Sequence, residues 1–81
     1  YSDLLYQLTG RQKELLMAIN REKKATAITS GKFVKKYALQ SPSTVQTAIK
    51  SLVDRQIVTK DKGVYEVYDK FFSMWLETHI G

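Results

Sequence analysis

Apolar residues recur every three or four positions in the first quarter of the chain, which is the spacing of one helix face. The first stretch is short, and its apolar residues are Tyr1, Leu4, Leu5 and Leu8. The second begins at Thr9, which stands three residues before Gln12, the spacing of a capping box. Its expected inward side is Leu15, Leu16 and Ile19, and its expected solvent side is Lys13, Glu14, Asn20 and Arg21. The pattern therefore predicts two consecutive helices.

The next stretch predicts a short strand and then another helix. Ala25–Thr29 is β-leaning and can contribute Ile28 to the core. Ser30 can cap the following helix, because its hydroxyl can accept a hydrogen bond from a free backbone N–H. The inward residues of that helix are expected to be Phe33, Val34, Tyr37 and Ala38. A compact basic patch occupies its other side and consists of Lys32, Lys35 and Lys36.

An amphipathic helix predicted over Ser41–Gln56 is central to the arrangement. Ser41 has the position of a cap, and Pro42 suits the first helical position, where its missing N–H is not needed. The apolar stripe consists of Val45, Ala48, Ile49, Leu52 and Val53. The opposite face consists of Ser43, Thr47, Lys50 and Asp54, with Gln46, Ser51 and Arg55 at the flanks. Hydroxyls, amides and cations of this kind can bond to another molecule.

Two β-like runs and a final helix complete the chain. A strand opens at Ile57 and ends near Lys60, and Asp61–Gly63 then supplies a turn whose glycine can take a positive φ. Val64–Tyr68 alternates with the period of two that marks a returning strand. Asp69 can cap a helix that runs to residue 80. Its inward face is expected to be Phe71, Phe72, Trp75 and Leu76.

These elements predict a mainly α-helical domain with a small β-hairpin, in the arrangement of a winged helix-turn-helix. The expected parts are a three-helix core, a short strand, a hairpin wing and an extra C-terminal helix. We expect residues 1–8 to be the helical tail of a preceding segment, residues 9–70 to form the winged helix-turn-helix, and residues 71–81 to pack on it as a helix. Every cap, turn and apolar period favours this one topology.

Composition narrows the classes of function. The 81 residues carry a net charge of +5, and a basic small domain can bind phosphate backbones or anionic surfaces, although such charge also serves solubility. The absence of cysteine excludes disulfides and thiolate sites and is compatible with the cytoplasm. No apolar run approaches the roughly 18 residues of a membrane span. The start at Tyr1, without Met, suggests a piece of a longer protein.

Catalytic chemistry finds little support in the sequence. His79 is the only histidine, and we expect a surface residue, because a general base needs a fixed position that a chain end does not assure. Gly31 and Lys32 resemble part of a phosphate-binding loop, but Thr26 and Phe33 stand where that motif requires other residues. Histidines and carboxylates do not recur at metal-ligand spacing. We therefore expect no enzyme activity, cofactor or metal site in this chain.

The leading functional hypothesis is binding of double-stranded DNA. In a helix-turn-helix the second helix lies in the major groove, while the first crosses the phosphate backbone. The candidate groove residues are Ser43, Thr44, Gln46, Thr47 and Lys50. The candidate phosphate contacts are Lys32, Lys35 and Lys36, with Lys60 and Lys62 from the wing. No arginine lies centrally on the polar face, and arginine to guanine is the commonest specific contact, so we expect weak sequence selectivity.

Three stretches carry a resemblance to a known family: LTGRQKELLMAI, SGKFVKKYALQSPSTVQTAIKSLVDRQIV and GVYEVYDKFFSMWL. They are similar to the C-terminal winged-helix domain of archaeal-type P-loop ATPases of the AAA and STAND-like group, which is also found in bacteria. The resemblance covers about Leu8 to Leu76. Its most specific runs are S-x-S-[ST]-x-Q-x-A-[IL]-K-x-L at Ser41–Leu52 and Y-x-[VY]-x-D-x-F-[FL]-x-x-W-L at Tyr65–Leu76. It implies that a core binding ATP and Mg precedes Tyr1, and that no nucleotide-binding residue belongs to this chain.

The resemblance leaves two roles open, because such winged helices are either DNA-binding tails or regulatory domains that pack on the nucleotide-binding core. The alternative is therefore a protein-interaction domain that does not contact DNA. Asp54 on the polar helix face and Asp61 in the wing favour it, since both dilute the positive potential. The candidate docking residues are Phe71, Phe72 and Trp75, with Tyr1, Leu4, Leu5 and Leu8 at the other end.

Overall fold

The computed structural model describes residues 2–79, and side chains from Ser2 to Thr78. Over this range the chain forms five helices and one two-stranded sheet. In chain order they are α1 (Ser2–Tyr6), α2 (Gly10–Glu22), α3 (Gly31–Lys36), α4 (Pro42–Asp54), β1 (Val58–Asp61), β2 (Val64–Val67) and α5 (Lys70–His79). The predicted fold class is confirmed. The predictions made for Tyr1, for Ile80 and for the His79 side chain lie outside the described residues.

Four helices begin at the capping residues that local sequence predicts. Thr9 and Gln12 form the reciprocal capping box of α2, with N–O distances of 3.1 and 3.2 Å. The hydroxyls of Ser30 and Ser41 and the carboxylate of Asp69 accept hydrogen bonds from first-turn N–H groups at distances between 2.9 and 3.3 Å. These bonds satisfy backbone donors that have no partner inside the helix.

Both α3 and α4 stop short of their predicted ends, because the backbone turns left-handed at the second residue beyond each helix. Ala38 and Gln56 have φ values of 54° and 62°. After α4, the N–H of Gln56 donates to the carbonyl of Val53 at 2.9 Å. The N–H of Ile57 donates to the carbonyl of Leu52 at 3.0 Å. This pair of bonds is the Schellman arrangement, and an equivalent pair follows α3.

The predicted strand Ala25–Thr29 is reduced to a single paired residue. Ala25 and Tyr65 exchange two backbone hydrogen bonds of 2.8 Å, which form an isolated antiparallel bridge to β2. The backbone then turns at Ala27, whose φ of 49° is incompatible with a strand. Ile28 is nevertheless buried. The predicted core position is therefore confirmed, whereas the predicted strand is wrong beyond its first residue.

The hairpin pairs β1 with β2 in antiparallel register. Asp61 lies opposite Val64, which leaves a two-residue loop of Lys62 and Gly63. Both loop residues have a positive φ, 52° and 79°, as a type I′ turn requires. Asp61, which the sequence places in the turn, is instead the last residue of β1. The hairpin is therefore a short wing.

One apolar core forms around α2, which contacts α4, β2 and α5. The largest fully buried side chains are Leu15, Leu16, Ile19, Val45, Leu52, Val58, Phe72 and Leu76. Burying a side chain of this kind contributes roughly 1.5–3 kcal/mol relative to leaving it exposed. Leu4 and Leu5 of α1 pack against the same core. The assignment of residues 1–8 to a preceding segment stays a prediction.

A buried polar contact joins α2 to α5. Asn20, expected to face water, is buried, and its Nδ2 donates to the carbonyl of Ser73 at 3.3 Å. The Ser73 hydroxyl donates to Asn20 Oδ1 in return. This pairing avoids the cost of a buried amide without partners. The expectation for Asn20 is wrong because α5 covers this side of α2, a contact between residues 53 positions apart.

The left-handed residue after α4 yields a stability prediction. A left-handed backbone costs an L-residue roughly 1–2 kcal/mol, a cost that glycine avoids. Gln56→Gly should therefore raise the free energy of unfolding by about 0.5–1 kcal/mol in urea denaturation, after allowing for the greater flexibility of glycine in the unfolded chain. Arg55→Gly is the matched control, because Arg55 has a φ of −82° and glycine there should lower that free energy. Changes of the same sign at both positions would contradict this account.

Candidate nucleic-acid interface

One side of α4 presents exposed polar side chains away from the core. Ser43, Gln46, Thr47 and Lys50 recur at helical spacing and are all exposed, and we call them the α4 stripe. Asp54 continues this side at the C-terminal end and is also exposed. The opposite side of the helix is buried against α2. The α4 stripe is therefore the part of the helix that another molecule can reach.

Individual side chains of α4 differ in how available they are. Thr47 Oγ1 donates to the Ser43 carbonyl at 3.2 Å, one turn earlier in the helix. Thr44 is half-buried, and its Oγ1 lies 2.9 Å from Ser41 Oγ. Within residues 2–79, the side chains of Gln46 and Lys50 form no hydrogen bond or ion pair. These two side chains are the most available to a ligand.

Lysines lie on α3 and on the wing, and both α3 and strand β1 of the wing contact α4. Lys32 and Lys35 are exposed on α3, and neither forms an ion pair with any described residue. Lys60 Nζ lies 5.6 Å from the ring centroid of Tyr65 on the paired strand. Lys62 is exposed at the tip of the turn. The elements next to α4 therefore carry exposed positive charge.

Sequence reasoning missed Arg11, which lies close to the start of α4. A groove of about 480 Å³ is lined by Thr9, Arg11, Gln12, Gln40, Thr44, Thr47 and Ala48. The Arg11 guanidinium pairs with Glu14 at 2.9 Å, and both side chains are about half exposed. Only the packing of α2 against α4 brings Arg11 to this place, so no local signal marks it.

A comparison with protein families decides the identity of the fold. The sequence model of the family described as "Probable winged helix domain" matches residues 1–78. The chain belongs to this winged-helix family. No curated protein and no solved structure matches the chain. Winged-helix domains are generally non-catalytic and commonly bind DNA or proteins.

In this winged-helix domain Lys36 is not part of an open basic patch. Its Nζ lies 2.9 Å from Glu22 Oε2, at the end of α2. The Tyr37 hydroxyl donates to the same oxygen. We call Glu22, Lys36 and Tyr37 the Glu22 cluster. The expected patch of three lysines is thus reduced to Lys32 and Lys35, because a carboxylate 14 positions earlier engages the third.

The Glu22 cluster shifts the pKa of each of its members. The hydrogen bond from Tyr37, followed by the bond from Lys36, lowers the pKa of Glu22 below its ordinary 4.5. The same hydrogen bonds to Glu22 raise the pKa of Lys36 and the pKa of Tyr37. At neutral pH an ionised carboxylate is therefore held by an ammonium and a phenol, and this contact joins the end of α2 to the end of α3.

The winged-helix domain exposes apolar residues of α5 other than those expected. Phe72, a predicted docking residue, is 2% exposed and belongs to the core, so that prediction is wrong. Trp75 is half-buried, with its ring centroid 6.0 Å from that of Phe72. Phe71, expected to face inward, is 74% exposed, because α5 rests on the core along a narrow stripe that excludes it. Met74 on α5 and Tyr68, two residues before α5, are also exposed, and with Phe71 we call them the α5 patch. No helix among the described residues is both long and apolar enough to cross a membrane.

The lowered pKa of Glu22 predicts a loss of stability in acid. A carboxylate whose pKa is lower in the folded chain stabilises the fold above its unfolded pKa and loses this contribution as the pH falls through the folded value. The free energy of unfolding should therefore fall more steeply for the wild type than for Glu22→Gln as the pH is lowered through 4.5 and below. Urea denaturation at a series of pH values measures the difference.

An NMR titration of the Glu22 carboxylate checks the pKa directly. Tyr37→Phe is the control variant, because it removes the hydrogen bond that lowers this pKa most. The titration midpoint should then move upward, toward the ordinary value of 4.5. A wild-type midpoint at or above that value would contradict the prediction.

Proposed function

We propose that this winged-helix domain binds double-stranded DNA with weak sequence selectivity and places the α4 stripe in the major groove. The main support for the proposal is that Gln46 and Lys50 expose an amide and an ammonium on α4. The elements next to α4, which are α3 and the wing, also have exposed lysines. The second helix of a helix-turn-helix enters the groove in this way, while the first crosses the backbone. The proposed phosphate contacts are Lys32, Lys35, Lys60 and Lys62.

Most of the affinity is expected to come from phosphate contacts. The chain carries a net charge of +5, and each phosphate that a lysine neutralises releases counterions from the duplex. About three to five such contacts give a slope of log K against log salt of about −3 to −4. Binding should therefore weaken steeply as salt is added.

Base discrimination is expected to be weak, because the α4 stripe contains no arginine. Gln46 can form a bidentate contact with adenine, but a single such contact reads one base pair. Arg11, the nearest guanidinium at the start of α4, is already paired with Glu14. Asp54 faces the C-terminal end of the stripe and opposes phosphate there. Shape and charge therefore dominate over direct readout.

Removing one phosphate contact should weaken binding to every duplex alike. Lys35→Gln is expected to make the slope of log K against log salt less steep by about 0.9. Lys70→Gln is the matched control, because it removes the same charge from α5, outside the proposed interface. Fluorescence anisotropy of a labelled duplex over about 50 to 200 mM salt gives both slopes. Failure to bind any duplex at the lowest salt would rule out the proposal, and equal effects of the two variants would rule out the assigned contact.

A second candidate function is a regulatory protein-interaction domain that does not contact DNA. The α5 patch favours it, since Tyr68, Phe71 and Met74 are 69%, 74% and 61% exposed. Exposed apolar surface can mark a protein–protein interaction site. A groove of about 590 Å³ between the wing and α5 adjoins two of them. The resemblance of the sequence motifs to ATPase C-terminal domains would make the partner the nucleotide-binding core of a parent ATPase, with ATP and Mg bound there.

Phe71→Ser separates the two candidates, because the exposed ring contributes little to the core. Under the interaction role, this variant should change the rate or the assembly state of the parent ATPase while the DNA affinity of the domain stays the same. Under the DNA-binding role, Lys35→Gln should lower the DNA affinity of the domain and leave the rate and the assembly state of the parent ATPase unchanged. If neither variant changes the rate or the assembly state of the parent ATPase, the α5 patch does not support the interaction role.

A further inference from the structure

We infer that Glu22 limits DNA binding by withholding Lys36 from the phosphate backbone. The inference rests on the proposed function and adds to it a residue that sets the number of phosphate contacts. Glu22 belongs to α2, outside the helix-turn-helix and the wing, and no motif marks it.

The place of Lys36 on α3 would otherwise suit a phosphate contact. Lys32, Lys35 and Lys36 follow a spacing of three and four residues and so share one side of the helix. All three are exposed, and the Lys36 side chain retains 58% of its accessible surface. The difference between them is the Glu22 carboxylate, which lies 2.9 Å from the Lys36 ammonium. Within residues 2–79, neither Lys32 nor Lys35 forms an ion pair.

Tyr37 makes this contact firmer than an ordinary surface ion pair. Exposed lysine–glutamate pairs are weak, partly because two long side chains must be held in one geometry. Here the Tyr37 hydroxyl donates to the same Glu22 oxygen that Lys36 approaches. The Lys36 ammonium also lies 5.3 Å from the Tyr37 ring centroid, within cation–π range. The Tyr37 ring itself lies 5.0 Å from the buried Phe33 ring, so the whole cluster is anchored to the core.

A DNA phosphate and the Glu22 carboxylate therefore compete for one ammonium. A phosphate that reached Lys36 would have to displace Glu22, and it would then face a second anion at short range. Glu22 thus occupies a cation and adds a repulsion at the same place. As a result, α3 makes one phosphate contact fewer than its three lysines suggest.

Duplex binding by the whole chain, measured as a function of salt, tests this inference. Glu22→Gln should raise the affinity at low salt and steepen the slope of log K against log salt by about 0.9, which corresponds to one more contact. Lys36→Gln alone should leave the slope at its wild-type value. The double variant should return to the wild-type slope, because the gain requires Lys36. Glu77→Gln is the matched control, since it releases Lys23 between α2 and α5 instead of a lysine on α3.

Two results would overturn the inference while leaving the proposed function intact. One is an unchanged slope in Glu22→Gln, and the other is a Lys36→Gln slope that becomes less steep by as much as that of Lys35→Gln. Failure of both the wild type and Glu22→Gln to bind DNA would overturn the proposed function as well. Circular dichroism establishes whether each variant is folded. If Glu22→Gln does not fold, Lys36→Gln decides alone, because its slope is unchanged only if Lys36 makes no phosphate contact in the wild type.

Discussion

The packing of α2 against α4 is the contact on which the rest of the structure depends. Leu16 and Ile19 from α2 and Leu52 from α4 are completely excluded from solvent. A domain of this size buries only about 60% of its unfolded surface, so a second core cannot compensate for the loss of the first. Because the apolar stripe of α4 is used in this contact, its polar stripe must face outward. The exposure of the candidate interface is thus a direct result of how the core is filled.

The same core requires sharp changes of chain direction after α3, inside the helix-turn-helix, and after α4. Ala38 and Gln56 make these changes in a left-handed conformation that residues other than glycine adopt at a cost. Schellman hydrogen bonds satisfy the helix ends at both places. Leu39 and Ile57, each the next residue along, enter the core directly afterwards. The burial that follows each turn offsets the strain within it.

Features whose cause lies within a few residues could be predicted from the sequence. The caps at Thr9 and Ser41 are of this kind, and so is the glycine of the wing. Features caused by contact between distant elements could not. The burial of Asn20 depends on Ser73, which reaches it only when α5 folds back over α2.

The candidate site also combines features that local sequence predicts with features that depend on contacts between distant elements. The polar side of α4 follows from helical periodicity, and the exposure of Gln46 and Lys50 could be foreseen from it. The capture of Lys36 by Glu22 could not, because the two residues lie on different helices. Phe71 and Phe72 are adjacent and equally apolar, and the spacing alone does not say which of them faces the core. The structure decides in favour of Phe72.

The isolated bridge between Ala25 and Tyr65 has a consequence for self-association. A strand with free backbone groups along one side can template the addition of a strand from another molecule. Ala25 occupies the outer N–H and C=O of Tyr65, so part of the outer edge of β2 is already paired, while β1 forms the other edge of the described sheet. That edge is four residues long and ends in the exposed charges of Lys60 and Asp61. Short, charged edges of this kind resist intermolecular sheet growth, and the pairing of Ala25 with Tyr65 shortens the free edge on the other side of the wing.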